Sequence, residues 1–351
     1  MMNLPQINLG QATEFLTSWW AAGNTKPVTL WGPPGVGKSA GIAAVPARLE
    51  EIQGQPWGFI DARLSQMDAV DLRGVPSIEN GITTWNTPSW LPNVERDGPR
   101  GILFLDELFL ASPSTLAGAY QLLHDRCLGD YVLPEGWVVV AASNRPEDKA
   151  GLTSNFNTAV SNRFATHFNI ICDVVVWTAW AAPHGVLAEV IAFLGFCPEL
   201  IHEYPNGLGK EKGVIGFGSP RSYEAASDIL KLGLPIDLEH AALQGCLGFG
   251  ISAQLIGFIK IIRNLPDVAG ILSDPDNAPI PSAPDTQYAL AALFARKATR
   301  ENLGAVIRFL DRISSEFTML TVLTATARDP ELKETQAYID HKIANKEGYV
   351  G

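Results

Sequence analysis

One stretch limits the possible folds more than any other. Pro27-Val28-Thr29-Leu30-Trp31 is a short apolar run, and Gly32-Pro33-Pro34-Gly35-Val36-Gly37-Lys38-Ser39 follows it directly. The second part meets the pattern G-x-x-x-x-G-K-[ST] at Gly32, Gly37, Lys38 and Ser39, between a predicted strand and a helix-compatible segment, the setting this phosphate-binding loop needs. Glycines at 32, 35 and 37 allow positive φ and close approach, so successive backbone N–H groups can turn inward around an anion. Lys38 then adds a mobile point charge for β- and γ-phosphates, and the Ser39 hydroxyl is placed to ligand Mg2+.

A second motif lies further along the chain. Gly101-Ile-Leu-Phe-Leu reads as a buried strand ending in Asp106 and Glu107, and charges at the end of such a strand are rarely there for packing. Asp106 is the candidate for holding Mg2+ and Glu107 for orienting or polarising an attacking water. A further apolar strand, Trp137 to Ala142, ends in Ser143-Asn144. Asn144 can reach the γ-phosphate or the water, or it can simply open the turn into Arg145-Pro146. Thr166 to Ile171 is another strand, preceded by Ser161-Asn162-Arg163. Strands alternating with helical stretches imply a mainly parallel sheet covered by helices on both faces, with ligands bound at the carboxyl ends of the strands.

The remaining segments fit around that frame. Gln6 to Gly23 has apolar residues at helical spacing, and Ser39 to Glu51 reads as a helix that Pro46 should kink or shorten. Trp57 to Asp61 is a strand, and Ser65 to Gly74 a polar turn and short helix. Val75 to Ile78 and Ile82 to Trp85 flank Glu79-Asn80-Gly81, a hairpin signal. From about Asp173 the strand signal fades. The expected division is an α/β nucleotide-binding domain over 1–173 and a helical region over 174–351. Ser219 offers an N-cap and Pro220 an N1 residue, which puts Arg221 in a first helical turn. Ala241 to Ile259 is uncharged and reads as one buried helix rather than a membrane span, because Gln244, Ser252, Gln254 and its glycines suit lipid badly. Ser273 to Asp285 is a Pro/Asp-rich connector, helices resume at Tyr288, and the tail from Pro330 to Glu347 is amphipathic.

Charge narrows the partners. The net charge is −11 and no run of five basic residues occurs, so the average field repels nucleic acid and anionic lipid. The four cysteines lack metal-like spacing and read as buried thiols in a reducing compartment; with no charged-then-apolar leader, a cytoplasmic location is expected.

The order of these motifs resembles the AAA+ ATPases, and among them the MoxR-like group, over roughly residues 10–260. Gly32 to Ser39 is similar to Walker A, Leu103 to Glu107 to Walker B, and Ala142-Ser143-Asn144 to sensor 1. Ser161-Asn162-Arg163-Phe164 resembles the arginine-finger segment and Ser219-Pro220-Arg221-Ser222 sensor 2. Asp71-Leu-Arg-Gly74 with the following hairpin resembles the helix 2 insert, and Leu128 to Gly136 the hairpin before sensor 1. The resemblance implies a P-loop AAA+ core followed by a small all-α lid, ATP/ADP and Mg2+ as ligands, and Glu107, Asn144, Arg163 and Arg221 as catalytic residues. Arg163 would then act on a neighbouring subunit and Arg221 on its own. It also implies a homo-oligomeric ring, usually a hexamer, that remodels a protein client, often with a von Willebrand factor A-domain partner. A nucleic-acid-dependent motor or loader and a nucleotide-gated scaffold are the competing readings. Pro46 and the long helical extension after Phe258 depart from the family pattern.

Overall fold

The computed structural model describes residues 4–148, 162–204, 215–263 and 268–345. Two compact units divide the chain, Met1–Cys172 and Asp173–Gly351.

In the first unit the elements run β1 (Gln6–Asn8), α1 (Leu9–Ala21), β2 (Val28–Trp31), α2 (Lys38–Ala43), α3 (Val45–Gln53), β3 (Gly58–Arg63), α4 (Ala69–Arg73), β4 (Val75–Glu79), β5 (Ile82–Asn86), α5 (Val94–Asp97), β6 (Arg100–Asp106), α6 (Pro113–Asp125), β7 (Cys127–Leu128), β8 (Tyr131–Val132), β9 (Gly136–Ser143) and β10 (Thr166–Ile171). Six strands form one sheet in the order β1-β10-β2-β9-β6-β3, every neighbouring pair parallel. Successive side chains of a strand point to opposite faces, and here both faces are covered. Ile102, Phe104, Val138 and Val140 enter one apolar cluster with α1, α2 and α3 residues such as Leu16, Ile42 and Leu49. Leu103, Leu105, Val139 and Ala141 enter the other with Leu72, Leu116 and Leu123 from α4 and α6. Burial on both sides is why β6 and β9 read as uninterrupted apolar runs rather than alternating ones.

Several boundaries differ from the sequence reading. Gln6–Asn8 pair with β10 as an edge strand, and the helix begins only at Leu9, where Asn8 and Gln11 form a reciprocal capping box. The helix after the loop is divided at Ala44, with Pro46 in the first turn of α3, a position that tolerates its missing N–H. The four cysteines form no disulfide and are half-buried rather than enclosed in a core. Asn80 and Gly81 have φ of 53° and 78°, as a tight hairpin turn requires, and join β4 to β5. That ribbon carries much apolar surface in the open: Ile78 is 79% exposed and Ile82 67%.

Among the described residues the second unit has α-helices and short 3-10 turns and no strand. Ser219 caps the helix Pro220–Lys231 by accepting from Ser222 N at 3.2 Å. The stretch 241–259 is not one helix. Gly248, at φ 79°, separates Ile236–Leu247 from Phe249–Arg263, and among the described residues no helix is long and apolar enough to cross a membrane. Helix resumes at Pro284, four residues earlier than its periodicity indicated, because proline suits a first turn. Arg312 ties the connector before it by donating Nη1 to Pro275 O at 2.6 Å and Ala278 O at 2.9 Å. In the tail, Leu332 is fully buried and Tyr338 and His341 nearly so, which packs one side of Gln336–Ala344. Residues 205–214, Ser161, and 346–347 of the tail lie outside the described residues.

Candidate nucleotide site

The loop leaves the carboxyl end of β2 at the sheet's centre. Gly32 N donates to Ser143 O at 3.2 Å, and a Cβ on Gly32 would sit 3.0 Å from Ile170 O, so the loop starts wedged between β9 and β10. Gly35 and Gly37 have φ of 81° and 95°, the left-handed region where side chains are strained. Val36 is buried and anchors the loop, while Pro33 and Pro34 stiffen its first half. Lys38 opens α2, and its Nζ donates to Gly32 O at 2.7 Å, Pro33 O at 3.1 Å and Asn144 Oδ1 at 3.2 Å. The lysine of one motif and the asparagine of another, 106 residues apart, therefore meet at one ammonium.

Ser39 Oγ donates to Asp106 Oδ2 at 3.0 Å. A hydroxyl and a carboxylate brought together this way suit Mg2+, which takes one or two protein oxygens and completes its octahedron from phosphates and water. Asp106 Oδ1 accepts from Glu107 N at 2.9 Å. Glu107 itself has φ 54°, a rare backbone state for a residue with a Cβ and one that concentrates at functional sites. The turn after Asn144 holds it in place: Arg145 N and its guanidinium both bind Asp148, the ion pair closing to 2.6 Å with the Asp148 side chain almost fully buried.

One further hydroxyl and one further acid enter the site unannounced by any motif. Ser65 Oγ donates to Glu107 Oε2. Ser65 comes just after β3, on the far side of β6 from β9 and β2, so this bond draws the Glu107 carboxylate toward the sheet edge. Ser65→Ala should therefore raise basal ATP turnover about two- to tenfold, the value of one hydrogen bond, with nucleotide affinity unchanged. A phosphate-release assay on the two proteins decides it, and a lower rate would mean that Ser65 holds Glu107 in its working position. Asp61, on β3, has its carboxyl pushed up by burial, then by Asp106, while Arg63 opposes the rise.

Arg163 does not join this group. It precedes β10, whose first residue, Thr166, is level with Val28 at the amino end of β2. The loop leaves the other end, roughly 13 Å away for four residues at a strand's rise. The guanidinium lies over the Tyr120 ring, 4.9 Å from its centroid. Arg221 belongs to the second unit, exposed in the first turn of Pro220–Lys231.

A Walker-type loop on a central strand of a six-stranded parallel sheet, with an acid pair at the end of one strand and Asn144 beyond the end of another, defines an AAA+ P-loop unit. Residues 27–164 match the family model described as AAA domain (dynein-related subfamily), and this segment belongs to the AAA+ superfamily. Among solved structures, NtrX from Brucella abortus in complex with ADP aligns over 97% of this chain and 68% of its own, at 15% identity and a TM-score of 0.42. A RuvB mutant from Thermotoga maritima covers 96% and 85% at 14% identity, TM-score 0.32. The FIGL-1 AAA domain in complex with ADP covers 75% and 84% at 14% identity, TM-score 0.35.

Proposed function

We propose that this protein is an ATP-hydrolysing, ring-forming AAA+ machine of the MoxR-like kind that remodels or activates a protein client. The observation that carries the ATPase reading is the meeting of Lys38 with Asn144 and of Ser39 with Asp106, with Glu107 beside them. Mg2+-ATP supplies the phosphoryl group, its leaving ADP and the metal that neutralises developing charge. The chain's own residues do the rest. The loop's N–H groups and Lys38 would hold the phosphates and Ser39 and Asp106 the metal, while Asn144 and Glu107 would orient the attacking water and Glu107 accept its proton.

Arg163 supports a ring. At the amino end of the sheet it stands away from its own loop, so a phosphate it serves belongs to another copy. The apolar β4–β5 ribbon supports a protein client. Pro76, Ile78 and Trp85 lie on one face of it, and surface of that kind matches polypeptide better than the phosphate backbone of nucleic acid.

The test is the ATPase rate with and without single-stranded DNA, RNA and candidate client proteins. Stimulation by protein is expected; stimulation by DNA or RNA alone would favour the motor reading. Shortening the Asn80-Gly81 tip should spare basal hydrolysis and abolish the client response, and loss of folding or of basal hydrolysis would make the ribbon structural. A von Willebrand factor A-domain protein is the partner we expect to co-purify from the native cell.

A further inference from the structure

Arginines in the first unit that serve the fold spend their donors on it. Arg126 Nη2 donates to Pro134 O at 3.0 Å and Trp137 O at 2.6 Å, and Arg145 grips Asp148 and reaches Asn169. Arg163 is different. Among the described residues it makes no hydrogen bond or ion pair, and its Nη1 is buried without a partner. What it has is an aromatic face, the Tyr120 ring at 4.9 Å. A ring holds a guanidinium through its π-face and the flat stacking area, and it uses up none of the five N–H donors.

We infer that Tyr120 is a positioning residue for Arg163, holding the guanidinium by stacking so that the donors other than the buried Nη1 stay available for a phosphate of the neighbouring copy. This rests on the trans-acting reading of Arg163 given above. Tyr120 is half-buried on α6 and packs against the cluster of Leu116, Leu123 and Phe164, so its ring plane is set by the core while one face meets the arginine. Phe164, next in sequence to Arg163, is buried in the same cluster and fixes the backbone from which the arginine projects. The hydroxyl of Tyr120 makes no hydrogen bond among the described residues, which leaves the ring as the working part. The helix concerned is the first α-helix after Glu107 in the chain, so the arginine offered to one copy is aimed by an element that follows the subunit's own catalytic acid.

The experiment compares Tyr120→Phe, Tyr120→Met and Tyr120→Leu in the full-length protein, each with Arg163 intact and as Arg163→Ala. ATP turnover is measured across ATP concentrations, with affinity for a fluorescent ATP analogue, oligomeric state and thermal melting read on the same samples. Tyr120→Phe should stay within about twofold of the parent. Tyr120→Met, which keeps bulk and loses the π-face, should lower kcat about tenfold with KM and nucleotide affinity unchanged. In the Arg163→Ala background neither substitution should change the residual rate. Equal losses for Phe and Met, an additive loss without Arg163, or a rise in KM at constant kcat would overturn the assignment to Tyr120. A normal rate for Arg163→Ala would overturn the trans reading together with it, whereas a slow Arg163→Ala beside a normal Tyr120→Met would overturn Tyr120 alone. Tyr120→Leu serves in place of Met should the melting curve show that Met is poorly accommodated.

Discussion

Arg163→Ala is expected to assemble and bind ATP normally and to hydrolyse it about three to five orders of magnitude more slowly. A guanidinium can meet a γ-phosphate bidentately and stabilise charge as the phosphoryl group transfers, and fingers supplied in trans are worth that much. On the ring reading proposed above, Arg163 serves a neighbouring copy, since β10 begins level with the start of β2 and the loop leaves where β2 ends. Mixing tests it. Arg163→Ala and Glu107→Gln subunits are each inactive alone, and a mixed ring contains sites with an intact Glu107 from one copy and an intact Arg163 from the next. Activity should return on mixing. No recovery, with mixed assembly confirmed by mass, would show that Arg163 serves its own subunit or no site at all.

The second large effect separates binding from chemistry. Lys38→Ala removes the ammonium that now bonds to Gly32 O, Pro33 O and Asn144, and should weaken ATP binding about ten- to a hundredfold, the worth of a charge-assisted contact. Glu107→Gln keeps a side chain of the same size but cannot take a proton, so ATP should stay bound while turnover falls about a hundred- to ten-thousandfold. Titration with a fluorescent ATP analogue, beside a phosphate-release assay, reads both quantities. Equal loss of ATP binding in the two variants would remove the role given to Glu107 and leave it a structural acid of the loop.

The local demands of the site were legible because each is written into a few adjacent residues. A loop that must turn with positive φ at positions 35 and 37 needs glycine there, and a strand buried on both faces that ends in Asp106-Glu107 advertises charge placed for a purpose. The Asn80-Gly81 turn and the Ser219-Pro220 helix start are legible for the same reason, as backbone geometry that few side chains permit. Less local features were misjudged. Gln6–Asn8 is a strand only because β10 lies beside it, and three residues carry no period of their own. The uncharged stretch around Gly248 reads as one helix by composition, yet a single positive φ divides it.

By itself, then, the sequence determined the chemistry that can occur: a phosphate cup with Lys38 and Ser39, an acid pair at 106 and 107, an amide at 144, and arginines at 163 and 221. Those identities follow from side-chain type and short-range backbone constraint, which act within a few residues. Only the tertiary structure decided which of them meet. Ser39 reaches Asp106 across 67 residues and Lys38 reaches Asn144 across 106, because strand order puts β9 and then β6 beside β2. The same order holds Ser65 against Glu107 from the other side, and lays Arg163 on Tyr120 at the far end of the sheet. No pattern in the chain announces either pair, since a serine and a tyrosine gain these roles only from the neighbours that parallel pairing and the packing of α6 bring to them.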